Sequence, residues 1–120
     1  MSKQQTGASQ PAVTLYRVLK IDTEAGEKEL PIRFYLPAQR ENDWDCEYEI
    51  DWPTGVRRFK AHGIDSVQAL SLALQMVGAE LYTSDAHRSG KLKWLERHCG
   101  YGFVLPQTIR DLYEGDDQSL

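Results

Sequence analysis

Trp44-Asp45-Cys46-Glu47-Tyr48-Glu49-Ile50-Asp51 is the stretch that decides the fold: large side chains and carboxylates alternate along it without a break. Successive side chains of a strand point to opposite faces. A period of two therefore sends Trp44, Cys46, Tyr48 and Ile50 one way and the four acids the other. Only a sheet with one packed face and one wet face wants that pattern. Trp52-Pro53-Thr54-Gly55 is a turn by composition, and residues 56–61 return as a partner strand. With Asp51 opposite Val56, Glu49 faces Arg58, Glu47 faces Lys60, Tyr48 faces Phe59 and Cys46 faces Ala61. Each such cross-strand pair contributes roughly 0.2–1 kcal/mol. A slip by one residue would set the acids against Phe59 and Ala61, so this register is the expected one.

Working outward, residues 13–21 are rich in β-branched and aromatic side chains and read as a first strand. A polar turn over 22–27 follows, with Gly26 available for a positive φ. Residues 30–36 read as a second strand with Leu30, Ile32, Phe34 and Leu36 on one face, and Pro31 places its start at an edge or a bulge. Downstream the period changes. Asp65 with Gln68 makes a capping box, and Leu70, Ala73, Leu74, Val77 and Leu81 then recur at helical spacing as far as Leu81 or Tyr82. Gly78, inside that pattern, suits a close approach of helix to sheet. Residues 91–95 fit a short fifth strand or the start of a helix, with strand preferred, and 106–113 fit a short C-terminal helix. The fold class expected is α+β: an antiparallel β-meander of about four strands, five with residues 91–95, packed on one long amphipathic helix. Residues 1–11 are expected as a flexible arm, 12–113 as a single domain and 114–120 as a disordered acidic tail.

The chain has 120 residues, of which 41% are hydrophobic and 27% charged, an ordinary globular balance. Its formal net charge is -4, which argues against nucleic acid and anionic membranes as partners. The opening residues lack the apolar segment of a signal peptide. Two cysteines, Cys46 and Cys99, fit free thiols in a reducing compartment, so a cytoplasmic location is expected. A phosphate-binding glycine loop, a nucleophile elbow, a zinc-protease helix and a C-x-x-C pair are all missing. His62, His87, His98 and Cys99 have no diagnostic metal-ligand spacing, and Cys46 alternates inward as a small core residue. Arg88, Lys91, Lys93 and Arg97 surround Trp94, a basic and aromatic cluster best read as a solvated face over a core tryptophan. No catalytic residue, cofactor or metal is therefore assigned. The candidate partner-binding surface is the carboxylate stripe Asp45, Glu47, Glu49 and Asp51, with Trp52 as an anchor at the hairpin tip.

Five blocks resemble a family of small bacterial domains without assigned function: residues 44–50, Gly63-Ile64-Asp65-Ser66-Val67-Gln68-Ala69-Leu70, Gly78-Ala79-Glu80-Leu81-Tyr82, Leu92-Lys93-Trp94 and Gly102-Phe103. The similarity runs from about residue 13 to 105. Such stand-alone proteins look like those encoded beside toxins, where small acidic domains act as immunity proteins. The resemblance thus implies a protein-binding role in which a cognate toxin, the product of a neighbouring gene, is neutralised by occlusion of its active site. The alternatives are an interaction or regulatory subunit of a bacterial assembly, dimerising through a sheet edge or the Trp94 region, and a small enzyme of unrecognised type.

Overall fold

The computed structural model describes residues 13–96 and 100–119. The expected N-terminal arm, together with Arg97, His98 and Cys99, lies outside the described residues. Strands β1 (Val13–Thr23), β2 (Gly26–Tyr35), β3 (Ala38–Gln39), β4 (Trp44–Trp52) and β5 (Gly55–Gly63) precede helix α1 (Ser66–Tyr82), a single turn α2 (Asp85–Arg88) and strand β6 (Leu92–Lys93). Two 3-10 segments, Gln107–Leu112 and Gly115–Ser119, complete the chain. The class is α+β as expected, but the sheet holds six antiparallel strands rather than four or five.

The β4–β5 register is the expected one, from Asp51 opposite Val56 to Cys46 opposite Ala61. On its other edge β4 carries two partners in series, β2 opposite Tyr48–Ile50 and β3 opposite Trp44–Asp45. The sixth strand is this continuation of β2 beyond Leu36 and Pro37. Proline breaks the ladder, and the register slips by one residue across the break, from Phe34↔Tyr48 to Ala38↔Asp45. β1 pairs with β2 along nearly its whole length, joined by a turn tighter than 22–27 in which Thr23 faces Gly26. β6 adds two residues against Lys20 and Ile21, so residues 91–95 contribute the short strand.

One face of the sheet is buried, through Leu19, Ile21, Leu30, Ile32, Phe34, Cys46, Tyr48 and Ile50. α1 covers the β4–β5 half of that face with Ala69, Ala73, Val77 and Leu81. The fully buried Val77 and Leu81 each contribute roughly 1.5–3 kcal/mol. The helix starts where Asp65 accepts the Gln68 amide at 2.8 Å, while the Gln68 side chain accepts from Ile64 N at 2.7 Å. The capping box therefore closes one residue earlier than its usual form.

The β1–β2 half of the buried face is covered by the segment after β6, through Tyr101, Phe103 and Leu105, with Phe103 6.0 Å from the Phe34 ring. Gly78 serves this cover and not the sheet. A Cβ there would lie 3.1 Å from both Phe103 and Leu105. The short helix expected over residues 106–113 forms as 3-10 turns and not as an α-helix. Gln107–Leu112 is 3-10, with non-helical φ and ψ at Ile109. The expected acidic tail also takes structure, since Gly115–Ser119 makes a 3-10 turn that buries Asp117.

Candidate functional site

Three regions gather polar chemistry: the outer face of the sheet, a cleft at the β4–β5 hairpin, and a cluster under the C-terminal turn. On the outer face Asp45, Glu47, Glu49 and Asp51 share one side of β4, as their parity demands. They do not all reach water. Asp45 and Glu49 are each only 4% exposed. Glu49 accepts from Arg33 Nε at 3.0 Å, from the Tyr35 hydroxyl at 2.6 Å and from the Arg58 guanidinium. Burial works to raise this carboxyl, but the three donors outweigh it and hold it below the usual carboxylate range. Asp45 accepts from Arg40 Nε at 2.8 Å and lies 3.7 Å from Lys60 Nζ. The Arg40 bond, working against burial, holds Asp45 low as well.

The expectation that every carboxylate faces solvent is therefore corrected, and the reason is side-chain length. Short acids on a central strand are roofed by longer cations reaching across from both neighbours. Arg40, Arg58 and Lys60 remain about half exposed, at 53%, 51% and 51% of their side chains. The middle of the face is close to neutral in sum, with these three cations more exposed than Glu47 and Asp51 and much more than Asp45 and Glu49. Beside it, on β1 and β2, lie Val13, Tyr16, Val18, Pro31 and Tyr35, which register places on the same side as Arg33. Tyr16 is 74% exposed.

Trp52 does not belong to this face. Its parity is that of Ile50, so it points to the opposite side, half-buried against the core. There it lines a shallow cleft of about 560 Å³ with Ile21, Pro53, Asp85 and Lys91. The structure thus brings four of the five candidate residues together and sets the fifth behind the sheet.

The third region escaped sequence reasoning. Gly100 and Gly102 both adopt positive φ, +80° and +76°, and a Cβ at either would fall 2.5 Å from a neighbouring side chain. Their turns leave the Tyr101 and Gly102 peptide groups clamped between two charges. Arg17 donates to both carbonyls at 2.9 and 3.0 Å. Asp117 accepts from both N–H groups at 2.8 and 2.7 Å, and from the Tyr82 hydroxyl at 2.7 Å. Arg17 also stacks on Trp94 at 4.0 Å and on Phe103 at 4.8 Å. Burial lowers its affinity for its proton, and the charge of Asp117 offsets part of that. His87 sits at the rim, 2.5 Å from the Tyr101 hydroxyl through Nδ1 and 3.0 Å from Glu114 through Nε2. The only advance signal was the pair of glycines flanking Tyr101.

This cluster has the look of a proton relay, but its groups are spent on structure. Burial pushes the Tyr82 and Tyr101 hydroxyls strongly up, so they stay protonated donors. The adjoining hollow holds about 100 Å³, well below the roughly 300–1,000 Å³ of ordinary ligand sites. The other chemistry-bearing residues are scattered. His62 pairs with Asp43 at 2.9 Å on the rim of the sheet. Arg88 pairs with Asp85 and Lys93 with Glu27, so the basic cluster around Trp94 is divided among separate partners. Cys46 is buried beneath β4 and its thiol is pushed up to about 11, chiefly by burial and further by Asp45. Among the described residues no group of three His, Cys, Asp or Glu side chains is placed to hold a metal ion, and no helix is long and apolar enough to cross a membrane.

The family model described as a domain of unknown function, DUF6968, matches residues 15–105, nearly the stretch over which the sequence blocks resemble a family without assigned function. Nothing in that match extends the resemblance to immunity proteins or to a bacterial source. No curated protein and no solved structure matches the chain.

Proposed function

The chain belongs to the DUF6968 family, and from the surface described above we propose that it is a non-enzymatic protein-binding domain whose docking surface is the outer face of the sheet. One observation carries the reading. The described cover, α1 and the Phe103 segment, lies on the other face, while the outer face sets half-exposed cations over buried acids beside the exposed Tyr16. Mixed apolar and arginine-rich surface of this kind suits protein contacts. The order of charges favours a partner carrying carboxylates at the matching positions, the reverse of the basic cleft that the acid stripe alone suggests.

In its most specific form, taken from the resemblance, the partner is a toxin encoded by a neighbouring gene and the domain occludes its active site. The test uses the full chain as bait in its native host, followed by titration of the purified partner. Tyr16→Asp combined with Lys60→Gln should weaken that binding at least about tenfold, with the fold checked by circular dichroism. These positions leave the donors of Glu49 untouched. A partner whose affinity ignores both substitutions would overturn the assignment of this face. A stable dimer by light scattering, dissolved by Tyr16→Asp, would replace the foreign partner with a second copy.

A further inference from the structure

Among the described strands β5 pairs with β4 alone, from Gly55 through Gly63, so its far edge is open to another strand. The two sides of that edge differ chemically. On the inner side Phe59, 47% exposed, has the Arg57 guanidinium 4.9 Å over its ring and lies with Leu72 and Met76 in a groove of about 620 Å³ whose lining continues round the edge to Glu47, Arg58 and Lys60. On the outer side stand the half-exposed Arg58 and Lys60. Both edges of a strand present the same alternating side chains, and the occupied edge shows what these select: Tyr48 opposite Phe59, Glu47 opposite Lys60, Glu49 opposite Arg58.

We propose that the free edge of β5 takes up an extended segment of a protein partner in which apolar and acidic residues alternate. The incoming strand would bond to the open main chain, seat its apolar residues in the groove of Phe59, Leu72 and Met76, and bring its carboxylates against Arg58 and Lys60. Strand addition of this kind takes affinity from the main chain and specificity from alternate side chains. The proposal rests on the protein-binding reading and adds the place and the chemistry of the bound segment. A second copy of this edge is a poor occupant. Antiparallel pairing of two β5 strands about Phe59 sets Arg58 opposite Lys60, and like charges directly opposite are destabilising.

The test needs no natural partner. The probe is a fluorescein-labelled peptide of residues 44–52 carrying Cys46→Ser, which reproduces the pattern that β5 already accepts. A peptide of the same composition with its acids gathered at one end is the control. Fluorescence anisotropy should show the alternating peptide binding at least about tenfold more tightly than the control, and less tightly as salt is raised. Amide exchange should slow across Gly55–Gly63. Met76→Glu, or Leu72→Gln should the first variant fail to fold, should weaken the peptide about tenfold, whereas Tyr16→Asp should leave it unchanged. Equal binding of the two peptides, or protection away from β5, would overturn the proposal. Capture of a protein partner that depends on Tyr16, with no peptide binding at β5, would overturn it while leaving the protein-binding reading standing.

Discussion

Replacing Asp117 with alanine should be among the most damaging single changes in the described chain, although a sequence reading would assign the residue to a free tail. The side chain is 2% exposed and accepts from the Tyr82 hydroxyl and from the N–H groups of Tyr101 and Gly102. Asp117→Ala removes all three hydrogen bonds at once. A buried donor left without a partner costs about 1–3 kcal/mol. Water can reach the half-buried Gly102 amide, so a total of about 3–5 kcal/mol is expected from the same principle. Against the roughly 5–15 kcal/mol of a typical domain that is a large share. Asp117→Asn separates acceptor geometry from mere burial. Oδ2 takes two of the donors and Oδ1 one, so an amide oxygen turned to the Oδ2 position keeps two bonds and turns its NH2 group on the third donor. Its cost should fall to about 1–3 kcal/mol. Urea unfolding followed by tryptophan fluorescence gives both values, and amide exchange at Tyr101 and Gly102 should quicken in the order wild type, Asn, Ala. If Asp117→Ala lies within about 0.5 kcal/mol of wild type, as surface changes usually do, and exchange is unaltered, the C-terminal turn does not clamp the loop.

Glu49→Gln should cost about 1–3 kcal/mol in the same unfolding assay, because it weakens the acceptor shared by Arg33, Tyr35 and Arg58 while the Arg58 guanidinium still reaches water. The pH dependence has a definite sign. Asp45 and Glu49 are held below their ordinary values in the folded state, so their contribution is fully present above the unfolded carboxylate range. It is lost as pH falls through the depressed folded values. The melting temperature should therefore drop steeply below about pH 4, and less steeply in Glu49→Gln. Gly102→Ala should destabilise by about 2 kcal/mol or more, since φ is +76° and the new methyl would meet Arg17 and Trp94 at 2.5 Å. In a Cys99→Ser background Cys46 should resist a thiol reagent near neutral pH and react only on unfolding, as its burial and a thiol pushed up to about 11 require.

The β4–β5 hairpin is legible in the sequence because two independent signals, parity and charge, agree at each pair from Cys46↔Ala61 to Glu49↔Arg58, and the pairs nearer the turn follow from that register. The same parity, carried one residue further, assigns Trp52 to the side of Ile50 and away from the acids; its place at a turn obscured that. β3 offers no period to read, since two residues after Pro37 cannot show one. The role of Asp117 is hidden for a different reason. Gly115–Ser119 is polar throughout, and what draws Asp117 inward is a pair of N–H groups freed by the backbone turns at Gly100 and Gly102. Sequence shows the glycines but not where their peptide groups point.

The charge of the outer face illustrates why composition misleads about surfaces. Asp45, Glu47, Glu49 and Asp51 dominate β4, and the chain as a whole carries a formal -4, so an acidic face follows from counting. Counting ignores reach. A carboxylate on Asp or Glu ends two or three bonds from Cα, whereas the charge of Arg or Lys lies at the end of a longer stem that can bend over a neighbouring strand. β4 has such neighbours on both sides: Arg33 and Arg40 toward β2 and β3, and Arg58 and Lys60 on β5. The acids in the middle become buried acceptors that fix the cations in place, and the cations become what a partner meets. Glu47 and Asp51, less roofed than Asp45 and Glu49, keep the face mixed. A partner that reads this face must therefore match a fixed arrangement of positive heads with two carboxylates among them, which is a specific demand and not a general attraction for bases. The same cations border the open edge of β5, so the sign that suits the face also suits a strand added beside it.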